Sequence, residues 1–566
     1  MFGCECFCWD RVTAFEPTEL GTEPFSLPSA LPEWPQVNRC SSECLGRGFA
    51  TGRIRLGELE VLKITKFESV WTFNQTHGKP KITFYRPEGT PDGFHCLGYY
   101  CQSNEKPLIG YVLVARDALE LSVPALRKPV GYTPLWAGDA GPLYGPGYFW
   151  LPSAPSGYRP MGIVVTTEPE EPDLEEVRCV REDLTEHCEA CNLICSGDSR
   201  NLKLPFEIWN TRPCNRGIWE RGVPVGTFIC CSRSGSSEPL DIGCLKNCDD
   251  SLHAMPNLDQ IHALISHYGP TVFFHPDEVY LPSSVQWFFQ NGALLCQDGE
   301  SRKQPIDSNG SCLPQGGSND GKFWINLPKD EELRNFLKRG NIESAELYVH
   351  VKPALGGSFT DIAMWVFCPF NGPVTLKVGL MSFPMTRIGE HVGDWEHFTL
   401  RVSNFTGELW GMYFSQHSGG EWVHASDLEF IDGNRPIVYS SKSGHASFAN
   451  PGLYLQGSSR LGIGVRNDAA RSRFFVDSSR KYKIVSAEYL GDGIIAEPCW
   501  LQYMREWGPT IMYDARAELD KVINRLPYFV RFSVENIFDL FPTELYGEEG
   551  PTGPKGKDNW EGDERC

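Results

Sequence analysis

Residues 84–100 read FYRPEGTPDGFHCLGYY, and residues 149–165 read FWLPSAPSGYRPMGIVV. Each opens on an aromatic pair, passes a proline and a proline-containing turn, meets a glycine followed by an aromatic, and closes on an apolar residue and a glycine. A tryptophan stands 13 residues ahead of each, Trp71 before Phe84 and Trp136 before Phe149. A weaker third copy, FEIWNTRPCNRGIWERGVPVGTF, runs over 206–228, with Phe206 and Trp209 leading and Gly226 following. Units this short cannot bury an inner face alone, so three of them predict three small antiparallel sheets sharing one core about a pseudo-threefold axis. The expected architecture is mainly β and begins with a β-prism-like domain over 51–250.

The segments around the repeats support that division. Residues 1–50 are rich in Pro, Gly and Ser and read as an extended lead-in. From residue 52, GRIRLGELEVLKITKFESVWTF alternates apolar and polar positions as half-buried strands do. An acidic insert between the second and third copies carries Cys179, Cys188, Cys191 and Cys195. Its single CxxC leaves zinc and buried thiols as alternatives.

With 566 residues, a second domain is required. A boundary is expected near 250–256, followed by an amphipathic helix, LDQIHALISHYG, and a strand-rich domain over 257–545. YDARAELDKVINRLPYFVRFSVENIFDLF near its end reads as helical, broken at Pro527. Residues 546–566 are polar and Gly/Pro-rich and are expected to form a disordered tail.

Composition narrows function. A formal charge of −20 argues against nucleic acid, whose backbone selects clustered Lys and Arg. MFGCECFCWDRV lacks the basic and apolar regions of a signal peptide, and no apolar run approaches 18 residues, so the expectation is a cytoplasmic, peripheral protein without a membrane span. The 21 cysteines are then expected to be mostly reduced. Cys4, Cys6 and Cys8 are candidate palmitoylation sites, the alternative being a frayed reduced terminus.

The densest chemistry lies at 389–398, GEHVGDWEHF. Read as a strand, it puts Asp394, Glu396, Phe398, Leu400 and Val402 on one face and Trp395, His397, Thr399 and Arg401 on the other. Two carboxylates at the rim of a core repel and are costly to desolvate unless a cation, a His or an Arg joins them. A bend at Gly393 would bring His391 to the same side. The resulting His, Asp, Glu set suits Ca, Mg or Mn better than structural zinc. The alternative is a rim strand whose acids are solvated or paired with Arg387 or Arg401. His275, Asp277 and Glu278 in FFHPDEVYLP form the other polar cluster, and His275 and Asp277, with His397 and with His445 in SGHAS, are the remaining candidate pocket residues; a turn fixed by Pro276 and Asp277 is the competing reading of that cluster.

The order DIAMWVFCPFNGP, GEHVGDWEHF, YFSQHSGGEW, RPIVYSSKSGHAS resembles the necrosis-inducing protein family of microbial cytolysins around its GHRHDWE heptad. That resemblance implies a β-sandwich with flanking helices and a divalent-cation site formed by His391, Asp394 and Glu396, with Asn371 as fourth ligand. Gly393 stands where the heptad has its second His, and Asn371 where that family has an acid. The whole chain, through YGPTVFFHPDEVYLPSSVQWFF, YSSKSGHASFANPG and GPTGPKGKDNWEGDE, resembles the plant branch of the vacuolar protein sorting-associated protein 62 family. This implies a role in membrane trafficking toward the vacuole. The leading expectation is therefore a non-enzymatic protein on endomembranes, binding a membrane lipid headgroup or a trafficking protein through the cation. Two alternatives remain: a metal-dependent hydrolase with His397 or His445 as base, and a non-catalytic scaffold.

Overall fold

The computed structural model describes residues 24–36, 48–74, 80–119, 122–140, 144–197, 206–232, 241–417, 419–458, 462–512, 547–548 and 550–564. Cys4, Cys6, Cys8 and the helical reading of 513–541 lie outside them. The protein is mainly β, built of antiparallel sheets with three short α-helices among the described residues.

Each repeat forms three successive antiparallel strands, the third set lying within a five-stranded sheet. These are β1 (Phe67–Asn74), β2 (Lys81–Pro87) and β3 (Tyr100–Ser103); β4 (Gly131–Asp139), β5 (Pro146–Ser153) and β6 (Val164–Thr166); and β7 (Thr185–Gly197), β8 (Phe206–Pro213) and β9 (Phe228–Ser232). The tryptophan that precedes each of the first two copies is the cross-strand partner of the copy's leading phenylalanine, Trp71 opposite Phe84 and Trp136 opposite Phe149. A register shift beside each pair turns these rings inward. There Phe84 meets Phe149 edge-on at 4.9 Å, Phe228 lies 5.3 Å from Phe84, and Phe206 lies 4.5 Å from Trp136. All three copies thus feed one aromatic core.

The glycine closing each of the first two copies has a packing reason. A Cβ on Gly98 would stand 2.8 Å from the Gly162 Cα, and one on Gly162 would stand 2.7 Å from the Thr227 Cβ. The units approach backbone to backbone, which only glycine permits.

Downstream, α1 (Leu258–Tyr268) starts in a capping box between Asn257 and Gln260 and buries Ile261, Leu264 and Ile265. The strands that matter for the site are β10 (Leu347–Ala354), β11 (Phe359–Asn371), β12 (Thr375–Val378), β13 (Met381–Pro384), β14 (His391–Ser403), β15 (Leu409–Gln416), β16 (Gly419–His424), β17 (Gly452–Ser458), β18 (Ile463–Ala469) and β19 (Tyr482–Ser486). Six form a central sheet in the order β16-β15-β14-β11-β10-β19, and four form a second in the order β13-β12-β18-β17.

The central sheet is covered on both faces. On one, Phe398, Leu400 and Val402 pack with Ile362 and Met364 against α1 and the Thr271–Phe274 strand. On the other, Trp365, Phe367 and Trp395 pack with Trp500, Trp507 and Trp560. Two stretches read as unstructured contribute to these layers. Trp34 of the lead-in is 6% exposed, lies 6.1 Å from Tyr268 and donates its indole N–H to the Thr406 carbonyl.

The expectation of a disordered tail is corrected over 550–564. Trp560 stacks on His350 at 3.8 Å, and the Glu564 carboxylate accepts from Thr399 Oγ1 at 2.6 Å, Asn559 Nδ2 at 2.9 Å and His397 Nε2 at 3.0 Å. The neighbouring Asp563 reaches Arg401 at 3.2 Å and Arg216 of the repeat half at 2.8 Å. The tail is ordered because the outer face of β10, β11 and β14 carries Lys352, Asp361, His397 and Arg401, whose charges need partners once buried.

Candidate functional site: a polar cavity at the rim of the central sheet

Alternation along β14 carries the apolar row Phe398, Leu400, Val402 outward into Glu396 and Asp394, as the sequence periodicity demands. Gly393, at φ +73°, breaks the alternation, and the His391 Nε2 stands 3.9 Å from Asp394 Oδ1. A Cβ at 393 would lie 2.5 Å from the Trp507 carbonyl, which excludes the heptad's second histidine from this position. Asn371, opposite His391 in the ladder, donates its amide to the carbonyls of Gly389 at 2.6 Å and Gly372 at 3.1 Å.

These four residues line a cavity of about 80 Å³. Its lining is completed by residues that local sequence pattern does not connect to it: His417, Lys442, Ser443, Arg466, Asn467 and Asp468. Asn467 faces His417 at 3.2 Å, and Arg466 Nε donates to Asp468 at 2.8 Å. The volume suits a small polar group with a few waters.

His445 lies behind the acids. Its Nδ1 is 2.7 Å from Asp394 Oδ2 and its Nε2 is 2.8 Å from the Tyr280 carbonyl, so both nitrogens face acceptors. Burial works against a charge on this ring, but the Cys368 sulfur and the Asp394 carboxylate outweigh it and raise its pKa well above the ordinary value. The imidazolium form donates to both partners. Burial likewise opposes ionisation of Asp394, and the hydrogen bond from His445 with the nearby His391 ring overcomes it and holds that carboxyl low.

Glu396 goes the other way. Burial, reinforced by the Asp394 charge, pushes its carboxyl up to about 8, and its Oε2 accepts from Ser415 Oγ at 2.8 Å. Burial also lowers the pKa of His391. Lys557, brought in by the ordered tail, favours the charged acids and the neutral imidazole.

The 441–445 loop that carries His445 is bent, with Ser443 at φ +67° and His445 at φ +52°. Buried Glu278 holds it: Oε2 accepts from the Ser443 N–H at 2.6 Å and Oε1 from Val279 and Tyr280 N–H at 2.9 Å each. In the FFHPDEVYLP stretch the acid that organises the site is therefore Glu278. His275 and Asp277 line an adjoining shallow groove that shares Thr375, Lys442, Arg466 and Asp468 with the cavity. His397 does not join, since it faces the other side of the sheet, stacks on Trp365 at 4.3 Å and meets Glu564. Arg401 does not pair with the site acids either; it is bidentate on Asp361 at 2.8 and 2.7 Å.

The donor chemistry of Asn371, His391, Asp394 and Glu396, oxygen-rich with one imidazole, is of the kind a hard divalent cation takes. As folded, however, no three His, Cys, Asp or Glu groups among the described residues stand in an arrangement that could hold a metal ion. Among those residues no helix is long and apolar enough to cross a membrane.

Comparison with known proteins places the chain. It is 24% identical over 218 residues to "Vacuolar protein sorting-associated protein 62" of Saccharomyces cerevisiae, covering 33% of this chain and 45% of that protein. It is 22% identical over 242 residues to "Putative vacuolar protein sorting-associated protein TDA6" of the same yeast, covering 36% and 50%. The chain thus spans about half the length of the curated relatives it matches. Among solved structures it is similar to GNIP1Aa from Chromobacterium piscinae, with 16% identity, a TM-score of 0.29, and 38% of this chain and 41% of that one covered. It is also similar to Necrosis and Ethylene inducing Protein 2 from the causal agent of cocoa's Witches Broom disease, with 14% identity, a TM-score of 0.20, and coverage of 40% and 74%. Overlaps at these scores carry nothing about the site. The match that spans the molecule is to the family described as vacuolar protein sorting-associated protein 62, over residues 21–564, and the chain belongs to that family.

Proposed function

We propose that this protein is a recognition component of vacuolar sorting that receives the polar head of a lipid or trafficking partner in the β14 cavity, bridged by a divalent cation. The observation that carries the reading is the lining itself. Asp394, Glu396, His391 and Asn371 line the cavity together with Lys442 and Arg466, so a single small space offers ligands for a cation and donors for an anion. His391, Asp394, Glu396 and Asn371 would hold the ion, with Glu396 releasing its proton and the side chains closing. The ion would supply the positive charge an anionic headgroup requires.

Binding is favoured over hydrolysis by the placement of the two histidines considered as bases. His445 has both nitrogens committed, and His397 lies on the opposite face of the sheet. Neither offers a lone pair to a water in the cavity.

The test is calorimetric titration of Ca, Mg and Mn into metal-stripped protein and into the double variant Asp394→Ala, Glu396→Ala. Binding by the wild type that the variant loses supports the reading. Absence of heat with all three ions in the wild type refutes it and leaves the acids as a proton-balanced strand rim.

A further inference from the structure

The second sheet ends beside the cavity in a feature the core does not use. In β12 and β13, Leu376, Val378 and Phe383 are buried, yet the turn between the strands presents Leu380 at 102% exposure and Met381 at 38%. A fully solvated leucine contributes nothing to folding and costs solubility. The turn is held in place: Gly379 takes φ +60°, and its N–H donates to the Gly462 carbonyl of the neighbouring hairpin at 2.9 Å. The same strands line the cavity at their other end, where Thr375 pairs with Arg466. Five residues of extended chain set the tip roughly 15 Å beyond the cavity wall. Leu453, 46% exposed on β17, adds apolar surface at the groove.

The charge around this edge runs against the net −20 of the chain. Lys377 lies on β12, exposed Arg387 follows β13, and Lys442 and Arg466 stand at the cavity mouth. Asp468 pairs with Arg466 at 2.8 Å, Asp277 approaches Lys442 at 4.0 Å and Glu390 lies close to Arg387, leaving the mouth near neutrality with Lys377 as the cation of the hairpin itself.

We infer that the β12–β13 hairpin is a membrane wedge: Leu380 and Met381 enter the interfacial layer of an anionic bilayer while Lys377 on the same hairpin meets its phosphates. This deepens the functional reading by naming a bilayer, in place of a free headgroup or a protein, as the partner. It rests on that reading for the role of the cavity and not for the hairpin.

The experiment is co-sedimentation of the full chain with vesicles of equal parts phosphatidylcholine and phosphatidylserine. The double variant Leu380→Ser, Met381→Ser is expected to lose about tenfold or more in partition, and Leu380→Trp to gain. Leu119→Ser, which removes a leucine 45% exposed from the repeat half, is expected to bind as wild type does. Folding is not at issue for so exposed a turn, and each variant is expected to titrate divalent cations as the wild type does. Unchanged partition of the double variant, an equal loss in Leu119→Ser, or no partition of the wild type overturns the inference. Asp394→Ala, Glu396→Ala separates the two readings: hairpin-dependent partition without cation binding keeps the wedge and removes the ion from its mechanism.

Discussion

Replacing Glu564 by Ala tests whether the tail is part of the folded body or a passenger on it. The Glu564 side chain is fully buried, as nearly are those of Lys352 (3% exposed) and His397 (6%). With Lys352 Nζ at 3.7 Å, the attraction between the two charges is about 4–5 kcal/mol at an effective dielectric of about 20, before desolvation is counted. Removing one partner leaves Lys352 buried with the carbonyls of Asn559 and Gly562 and with Asp361, which is already committed to Arg401, so the expected loss is about 3–5 kcal/mol. Glu564→Gln keeps an acceptor for Thr399 and is expected to lose less. Lys352→Met with Glu564→Met is expected to recover a large part, because no charge is then stranded. Burial opposes the charge on Glu564, but Lys352 and His397 overcome it and hold the carboxyl below the usual range. A carboxyl depressed in the folded state contributes its full stability above its unfolded pKa. The difference between wild type and variant is therefore constant through neutral pH and shrinks only as pH falls below about 4. Urea unfolding followed by tryptophan fluorescence is the assay. A Glu564→Ala variant within about 0.5 kcal/mol of wild type would refute the reasoning.

Three further outcomes follow from the same geometry. Glu396, raised to about 8, is stabilised in its protonated form, so metal-free protein is expected to lose stability as pH rises from about 4.5 through about 8, and Glu396→Gln to abolish that slope in urea titrations at stepped pH. Gly393→Ala forces a side chain into a positive-φ position 2.5 Å from the Trp507 carbonyl and is expected to cost about 2 kcal/mol or more by thermal or urea unfolding. Gly98→Ala drives a methyl against Gly162 and Thr227 and is expected to cost about 1–3 kcal/mol, most visibly in the near-ultraviolet dichroism of the Trp71–Trp136 cluster.

The repeats were legible because their signal is local. A tryptophan and a phenylalanine 13 residues apart are the two ends of one cross-strand pair, and the glycine that follows marks where the units touch. The row Asp394, Glu396 was legible for the same reason, as strand alternation alone assigns its face. The rest of the cavity lining was not. Lys442, Arg466, Asn467 and Asp468 reach it through strand pairings some fifty or more residues away in sequence, which leave no local pattern. The tail was misread because a Gly- and Pro-rich composition is the usual mark of disorder, while its order comes from one tryptophan and two acids matched to His350, Lys352 and Arg401. The available cue lay upstream: strands carrying Lys352, Asp361 and Arg401 on a shared face imply a cover not yet accounted for.

That cover arrives late in biosynthesis. His397 waits for a partner 167 residues further on, and Arg216 for one 347 residues further on. At ordinary translation rates the 167 residues between His397 and Glu564 alone take roughly 10–30 s. During that interval a nascent chain shows water the outer face of its largest sheet. A face that sets Lys352, Asp361, His397 and Arg401 beside Trp365, Phe367 and Trp395 tolerates that exposure better than a wholly apolar one, which would invite aggregation on the ribosome.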